Sequence, residues 1–428
     1  MMLLPSRVQT LCDAERIRFG ATVVHFASGI FGGTRLKNRT GRAFAVAALA
    51  GAILAAGCAT PPSVCPPPPP PAPHTVYEPA TWGSLPGWER DQMQEAWPAF
   101  IESCNAVGRR AEWRAVCEAA QDAKPSTSQD VRAFFERYFE PLEIVKQTGP
   151  QADDLGLITG YFEPVLQGSR SPASGFDTPL YAPPPDLLTV DLGSVYPELK
   201  GKRLRARLDG RRVVPYYSRA DLERDPALKG DEIVWVDDAI DAFFLEVQGS
   251  GRVRLTTGET IRVHYADENG QPYRSIGRYL IDRGELKRGE ASMTAIREWA
   301  LAHPDRLKEL LDADPSVVFF HEEPLGDPEL GPKGSLGVPL TAGRSIAVDP
   351  SAVPLGAPVF LATTFPASDV ALQRLVIGQD TGGAIRGPVR ADFFWGTGPQ
   401  AASYAGQMSQ QGRMWLLWPR GTPLPGAQ

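Results

Sequence analysis

Hydrophobic residues recur at helical spacing between residues 84 and 145. Positions three, four or seven residues apart lie on one face of a helix, and that face is the one a folded protein buries. We therefore expect residues 84–145 to be helical, with these side chains in the core. The recurring positions are Trp88, Met93, Ala96, Trp97, Phe100, Ile101, Trp113, Val116, Phe134, Phe135 and Tyr138.

From Leu155 onward the pattern changes to short apolar or alternating runs separated by glycine-rich turns. Such runs at regular spacing are typical of a β-barrel or a β-sandwich. Helical spacing returns at residues 275–283 and 292–303, where we expect two helices. The runs predicted to be strands are residues 157–166, 232–236, 243–248, 253–255, 260–265, 345–349, 358–361, 374–377 and 414–418.

The N-terminal segment has the pattern of an export signal. Basic residues from Arg35 to Arg42 precede an apolar run at residues 43–56, which is short for a membrane span. Cys58 follows small residues, as in a bacterial lipobox, although the leucine lies four positions before it instead of the more usual three. We expect residues 1–57 to be removed and Cys58 to carry a lipid, with plain secretion as the alternative. The proline-rich residues 58–83 would then form an extended spacer.

Two cysteines, Cys104 and Cys117, fall in the predicted helical segment. In an exported protein they can form a disulfide that closes a loop of about 14 residues and stabilises the fold by roughly 3 kcal/mol in the chain-entropy model. Two buried free thiols are the alternative, and the sequence leaves both open.

The charge of the chain argues against one large class of partner. The formal charge is −6, and removal of residues 1–57 leaves 37 Lys/Arg against 48 Asp/Glu, a charge of −11. With no basic clusters available to neutralise phosphates, we expect no nucleic-acid partner.

Several catalytic chemistries lack the residues that they need. The five histidines are scattered and the cysteines are not clustered, so we expect neither a metal nor a cofactor. The sequence has no G-x-x-x-x-G-K-[ST] phosphate loop and no G-x-S-x-G nucleophile elbow, of which Gln248-Gly-Ser-Gly251 falls short. Carboxylates on glycine-rich loops remain, and they suit acid–base chemistry on a glycan.

Two of these carboxylates lie close together in residues 379–396. Asp380 and Asp392 are twelve positions apart, with three glycines and a proline between them and the aromatic cluster Phe393-Phe-Trp395 after them. On spacing alone, acidic residues beside turns are more often solvated or hydrogen-bonded to a neighbouring amide.

Residues 160–418, about 60% of the chain, resemble the membrane-bound lytic murein transglycosylase A family. Asp349, Asp380 and Asp392 resemble a three-aspartate module that is shared with a wider set of cell-wall proteins. The matching segments are Gly160-Tyr-Phe-Glu-Pro164, Phe243-Phe-Leu-Glu-Val-Gln-Gly-Ser-Gly251, Pro272-Tyr-Arg-Ser-Ile-Gly277, Pro315-Ser-Val-Val-Phe-Phe320, Ala347-Val-Asp-Pro350 and Gln379-Asp-Thr-Gly-Gly-Ala-Ile-Arg-Gly387.

The resemblance implies a mainly β fold with N-terminal helices. Residues 84–176 would hold those helices and the first part of a double-psi β-barrel, and residues 325–420 the rest of it. A second β-rich domain, residues 177–324, would be inserted between the two parts, with a groove for a glycan strand between the domains. The implied reaction is non-hydrolytic cleavage of the β-1,4 bond between N-acetylmuramic acid and N-acetylglucosamine, which leaves a 1,6-anhydro end.

The resemblance also implies roles for single residues. Aligned on the motif, the family's essential aspartate falls on Asp392, with Asp380 as a supporting neighbour. A lytic enzyme uses the substrate's own C6 hydroxyl, so one carboxyl group can act as acid and then as base. We expect burial and the charge of Asp380 to raise the pKa of Asp392, and Asp349 to brace a turn. The candidate glycan contacts are Tyr161, Glu163, Gln248, Ser250, Tyr273 and Ser275.

The family resemblance implies a place of action at the periplasmic face of the outer membrane, with the lipid on Cys58 as the anchor. A soluble periplasmic protein is the alternative. Peptidoglycan strands are the expected partner, and other cell-wall enzymes are further candidates. A non-catalytic peptidoglycan-binding lipoprotein and a murein hydrolase are the rival functions.

Overall fold

The computed structural model describes residues 73–426, apart from residues 203, 223 and 225–227. The expected export signal, Cys58 and most of the proline-rich spacer lie outside the described residues and remain predictions. Within the described part of the chain, no helix combines the length and the apolar character that crossing a membrane requires.

Strands dominate the described residues, and the two helices expected near residues 275–283 and 292–303 are confirmed. The strands are β1 His74–Pro79, β2 Phe139–Thr148, β3 Gln151–Asp153, β4 Gly156–Glu163, β5 Val165–Ser169, β6 Thr178–Tyr181, β7 Leu188–Val190, β8 Leu204–Asp209, β9 Arg212–Pro215, β10 Glu232–Val236, β11 Ser250–Leu255, β12 Thr260–Glu268, β13 Val318–Pro324, β14 Ser345–Val348, β15 Pro358–Thr364, β16 Ala371–Asp380, β17 Arg390–Thr397 and β18 Ser409–Pro419. The α-helices are α1 Trp97–Val107, α2 Ala111–Asp122, α3 Ser128–Tyr138, α4 Arg219–Leu222, α5 Ala239–Gln248, α6 Ile276–Asp282, α7 Met293–Ala302, α8 Leu307–Asp312 and α9 Pro399–Gln407.

The N-terminal helices end earlier than the sequence predicts. Helices α1 to α3 finish at Tyr138, and the residues that follow form β2. Pro141 explains the change, because it lacks the N–H that a helix interior needs. The disulfide between Cys104 and Cys117 joins α1 to α2, so the first of the two alternatives is correct.

Six strands close into a barrel in the order β18, β15, β16, β14, β17 and β4. The ring closes because β18 pairs with β15 through its second half and with β4 through its first half. Two neighbouring pairs are parallel, β14 with β16 and β17 with β4, and the others are antiparallel. The barrel core is almost completely buried around Phe360, Ile377, Phe393 and Trp415. These strands confirm the mainly β fold class.

A second sheet of six strands has the order β13, β12, β11, β5, β10, β6, and a separate small sheet contains β7, β8 and β9. The first strand of the six-stranded sheet, β5, follows the barrel strand β4 after only Pro164, and the last strand of that sheet, β13, ends at Pro324. By strand pairing, the chain thus enters the second sheet before residue 177. The domain division at residues 177 and 324 remains our proposal.

Residues 243–248 form part of helix α5, so the prediction of a strand was wrong. The Asp238 side chain caps this helix by accepting hydrogen bonds from the backbone N–H groups of Ile240 at 2.9 Å and Asp241 at 3.2 Å. The helix ends at Gly249, whose φ of 79° lies in the left-handed region that glycine adopts without strain. A short, mostly apolar segment fits a buried strand and a buried helix equally well, so the helix cap at Asp238 distinguishes the two.

Candidate active site

Asp380 and Asp392 are brought together by the central strand β14. Asp380 ends β16 and Asp392 lies in β17, and each is paired with Ala347 of β14, from opposite sides. Neighbouring strands are about 4.8 Å apart, so the two aspartate backbones are about 10 Å apart. Because both face the same residue across the sheet, their side chains project from the same face.

Asp392 is held by a residue that the sequence did not single out. Thr159 lies opposite it in β4 and donates a hydrogen bond from its hydroxyl to Oδ1 of Asp392 at 2.7 Å. Phe394 and Tyr161 pack nearby, with ring centroids 5.1 Å apart. Asp392 keeps part of its surface open to solvent although protein atoms surround it densely. A recessed acid that solvent still reaches is also within reach of a substrate.

Burial raises the pKa of Asp392 to about 6, and the negative charge of Asp380 adds a smaller rise. The hydrogen bond from Thr159 and the charge of Arg390 act in the opposite direction. Burial and the charge of Asp380, the two causes predicted from the sequence, therefore both raise the pKa of Asp392, and burial has the larger effect.

Only one of the three aromatic residues after Asp392 lies on its face of the strand. Side chains alternate along a strand, so Phe394 shares the face of Asp392 while Phe393 and Trp395 lie on the other. Those two rings, 4.8 Å apart between centroids, belong to the hydrophobic cluster in the barrel. The rings that shield Asp392 from solvent are thus those of Phe394 and of Tyr161 from β4.

Asp380 accepts hydrogen bonds from four donors. Its Oδ1 accepts from the backbone N–H and the hydroxyl of Ser335 and from the backbone N–H of Thr381, each at 2.9 Å. Its Oδ2 accepts from the hydroxyl of Tyr161 at 3.2 Å. Burial raises the pKa of Tyr161 well above its usual value, with the charges of Asp380 and Asp392 next in importance, so this phenol stays protonated. The carboxylate of Asp380 is fixed in place.

Asp349 braces a turn. Its Oδ1 accepts hydrogen bonds from the N–H and the hydroxyl of Ser351, and its Oδ2 accepts from the N–H of Gly387 at 2.8 Å. Burial raises the pKa of Asp349, but these hydrogen bonds outweigh it and the net direction is downward. The third aspartate thus ties the end of β14 to the loop between Asp380 and Asp392.

The other candidate residues occupy different positions. Gln248 accepts a hydrogen bond from the backbone N–H of Phe162 at 3.1 Å, which ties α5 to β4. Ser250 is buried at the start of β11. Ser275 caps α6 and Tyr273, just before it, is 53% exposed.

Glu163, at the end of β4, has no exposed surface and pairs with Arg252 and Arg262. Of the six candidate glycan contacts, Tyr161 donates a hydrogen bond to Asp380, whereas Glu163 has no exposed surface with which to contact a sugar.

Sequence reasoning missed Thr159 and Ser335. Thr159 lies two positions before Tyr161, and alternation along β4 would have placed both on one face. Ser335 carries no such signal, because it reaches Asp380 from a loop 45 residues earlier in the chain.

Comparisons with known proteins match both halves of the molecule. The family model of the MltA specific insert domain matches residues 157–321, and the model of the 3D domain matches residues 344–418. The membrane-bound lytic murein transglycosylase A of Vibrio cholerae serotype O1 is 33% identical over 292 residues, which are 65% of this chain and 71% of the relative.

Two solved structures are similar over most of the chain. MltA from Neisseria gonorrhoeae, in its monoclinic form, has a TM-score of 0.71 at 34% identity and matches 83% of this chain and 97% of that one. Escherichia coli MltA with bound chitohexaose has a TM-score of 0.59 at 26% identity, over 81% and 94% of the two chains. On these matches, the chain belongs to the membrane-bound lytic murein transglycosylase A family.

Proposed function

We propose that this protein cleaves the β-1,4 bond between N-acetylmuramic acid and N-acetylglucosamine in peptidoglycan without water and leaves a 1,6-anhydro end. The observation that carries the proposal is Asp392, a recessed carboxyl group whose pKa is raised to about 6. Such a group is partly protonated near neutral pH, as a general acid must be.

Asp392 would act twice in one turnover. Its carboxyl group first gives its proton to the glycosidic oxygen, so the bond to C1 breaks and the leaving sugar departs as an alcohol. The resulting carboxylate then takes the proton of the C6 hydroxyl while the C6 oxygen bonds to C1. The proton count balances, and Asp392 ends as it began.

The surroundings of Asp380 favour this mechanism over hydrolysis. A hydrolase needs a second carboxylate that is free to activate water or to attack C1. Both oxygens of Asp380 already accept hydrogen bonds, from Ser335, Thr381 and Tyr161. We assign Asp380 the role of holding a negative charge near Asp392.

An extended glycan strand is the proposed substrate. The Escherichia coli relative was crystallised with chitohexaose, a chain of six sugars, and this fits a strand lying across several sugar-binding positions. We propose that Gln248, Ser250, Tyr273 and Ser275 border its path, with Tyr161 beside the cleavage point. For Glu163, complete burial favours a supporting role over direct contact with sugar.

We propose that the protein acts at the periplasmic face of the outer membrane, anchored by a lipid on Cys58. Support comes from the lipobox-like pattern before Cys58 and from relatives named as membrane-bound. The proline-rich spacer would let the enzyme reach murein some distance from the membrane. Peptidoglycan strands are the proposed partner, and other cell-wall enzymes are candidates for contact.

The test is turnover of purified murein sacculi, followed by mass spectrometry of the soluble products. We expect anhydro-ended muropeptides from the wild type and a fall of about 10²- to 10⁴-fold for Asp392→Asn, the usual contribution of an acid–base group. Asp369→Asn, at an exposed position, is the matched control and should keep wild-type turnover. Reducing ends would indicate a hydrolase, and an absence of cleavage by the wild type would indicate a binding protein.

A further inference from the structure

Glu163 is the most completely buried charged group near the proposed active site. It ends β4, two positions after Tyr161 and four after Thr159, so alternation places all three on one face of the strand. Tyr161 bonds to Asp380 and Thr159 bonds to Asp392. Glu163, with an exposed surface of 0%, has no open side toward a substrate.

Both oxygens of Glu163 are occupied by groups from other strands. Nε of Arg262 donates to Oε1 at 2.6 Å, and Nε of Arg252 donates to Oε2 at 2.9 Å. The hydroxyl of Thr397, at the end of β17, also donates to Oε2 at 2.9 Å. Arg252 lies in β11 and Arg262 in β12, so this buried carboxylate joins the second sheet to the barrel. Buried charges persist only when they are paired and hydrogen-bonded in this way.

The same two arginines also hold a loop. Nη2 of Arg262 donates to the backbone carbonyl of Leu330 at 2.8 Å, and Nη2 of Arg252 donates to the same oxygen at 3.3 Å. Five residues later, Ser335 gives two hydrogen bonds to Asp380. Between them, Gly334 packs so closely on β16 that an added Cβ would lie 2.5 Å from a backbone oxygen. The loop has little freedom to move independently of its two ends.

We propose that Glu163, Arg252 and Arg262 form a positioning cluster that fixes the loop of residues 330–335 and, through Ser335, holds the carboxylate of Asp380 beside Asp392. The inference rests on the proposed function, in which the charge of Asp380 adds to the effect of burial in raising the pKa of Asp392. The cluster contacts no reacting atom and acts through the loop.

Arg262→Lys is the most direct test. Lysine keeps the charge but has no planar fork, so it cannot bond to Glu163 and to the carbonyl of Leu330 together. We expect kcat for murein cleavage to fall about 10- to 100-fold, the scale of a small misplacement in an active site, with KM changed much less. Arg254→Lys, at an exposed position in the neighbouring strand β11, is the matched control and should behave like the wild type.

The pH dependence distinguishes positioning from simple destabilisation. The charged groups that face Asp392 are Arg390 on β17 and Asp380 on β16, and the protonated Tyr161 on β4 donates a hydrogen bond to Asp380. If Asp380 is held less firmly, it raises the pKa of Asp392 less, so the high-pH limb of the rate profile moves to lower pH. A variant that is only less stable loses active enzyme but keeps the wild-type limb.

A double-mutant cycle tests whether the effect passes through the loop. Ser335→Ala removes one of the hydrogen bonds to Asp380 and should shift the limb in the same direction. Arg262→Lys should then have a smaller effect on kcat in the Ser335→Ala background than in the wild type, because both changes loosen one contact. Independent, multiplicative effects would overturn the proposal.

Hydrogen exchange provides a measurement that does not depend on activity. Peptides covering residues 330–336 should exchange faster in Arg262→Lys than in Arg254→Lys, and equal rates would also overturn the proposal. Release of reducing ends by the wild type would contradict the proposed reaction. The shift of the high-pH limb, the double-mutant cycle and the hydrogen-exchange rates would still test the role of the cluster.

Discussion

The surroundings of Asp392 affect both its proposed role as an acid and the stability of the fold. In the proposed mechanism Asp392 is the proton source, and in the structure it is recessed among Phe394, Tyr161 and strand β14. The dense surroundings that raise its pKa to about 6 also make its charged form costly. In the proposed mechanism, the burial of Asp392 therefore affects both the rate of cleavage and the stability of the enzyme. Each of these two effects leads to a prediction.

The rate should fall as the pH rises above about 6. The proposed mechanism requires Asp392 in its protonated form, and the pKa of about 6 sets where that form is lost. Well above this value the protonated fraction drops about tenfold per pH unit. Initial rates of anhydro-muropeptide release between pH 5 and 8 measure it. A rate that keeps rising up to pH 8 would contradict the assignment.

Asp392→Asn should be more stable than the wild type at neutral pH. The native pKa of about 6 lies above the ordinary value of 3.8, so the native carboxyl group keeps its proton to higher pH than the unfolded one. Its contribution to stability is complete below about pH 4 and is lost as the pH rises through 6. Asparagine has no proton to lose, so we expect a gain of about 1–3 kcal/mol above pH 7.

Urea unfolding at pH 4 and pH 7.5 measures this difference. The gain should vanish at pH 4, and Asp369→Asn, on the surface, should show no such dependence on pH. Equal stability of Asp392→Asn and the wild type at pH 7.5 would mean that burial of the charged Asp392 does not lower the free energy of unfolding.

Sequence reasoning could predict Asp380 and Asp392, because a motif records them twelve positions apart. It could not predict the groups that tune them. The hydrogen bond from Thr159 to Asp392 spans 233 positions, and the one from Ser335 to Asp380 spans 45. Alternation along β4 could place Thr159 on the same face as Tyr161, but only the fold brings Thr159 and Ser335 to the two aspartates.

Among the secondary-structure elements, helix caps, glycines and prolines determine whether a segment is a helix or a strand where the hydrophobic periodicity is ambiguous. The apolar run at residues 243–248 became a helix because Asp238 caps it and Gly249 ends it, and both residues are visible in the sequence. Pro141 likewise marks the change from helix to β2. Caps and prolines act through the backbone, so the helix at residues 239–248 and the start of β2 can both be predicted from them.

The disulfide between α1 and α2 should stabilise the fold without affecting catalysis. Cys104 and Cys117 are 13 positions apart, and closing such a loop is worth about 3 kcal/mol in the chain-entropy model. We expect the double variant Cys104→Ser/Cys117→Ser to lose about that much in urea unfolding. Its product spectrum on murein should match the wild type, because the pair lies in the N-terminal helices. A large loss of kcat at full folding would contradict this separation.

For the whole molecule, the barrel draws strands from distant parts of the chain. β4 comes before the second sheet and β14 to β18 come after it, yet they close one ring. Periodicity could predict the strands but not their neighbours, because pairing depends on contacts far apart in sequence. The hydrophobic pattern left a barrel and a sandwich open, and the family resemblance favoured the barrel.

The proposed anchor makes a prediction about the whole protein in the cell. Cys58→Ala should move the protein from the membrane fraction to the soluble periplasmic fraction. Cys65→Ala, in the proline-rich tract just after it, is the matched control and should leave the protein in the membrane fraction. Wild-type protein found in the soluble fraction would favour plain secretion over lipidation.

The oxygen at the new sugar end distinguishes lytic cleavage from hydrolysis. Sacculi digested by the wild-type enzyme in water enriched in ¹⁸O, followed by mass spectrometry, report whether water enters the product. The proposed mechanism predicts muropeptides that are lighter by one water than hydrolytic products and free of ¹⁸O, because the C6 oxygen of the substrate bonds to C1 in place of the leaving sugar. Reducing ends that carry ¹⁸O would contradict it.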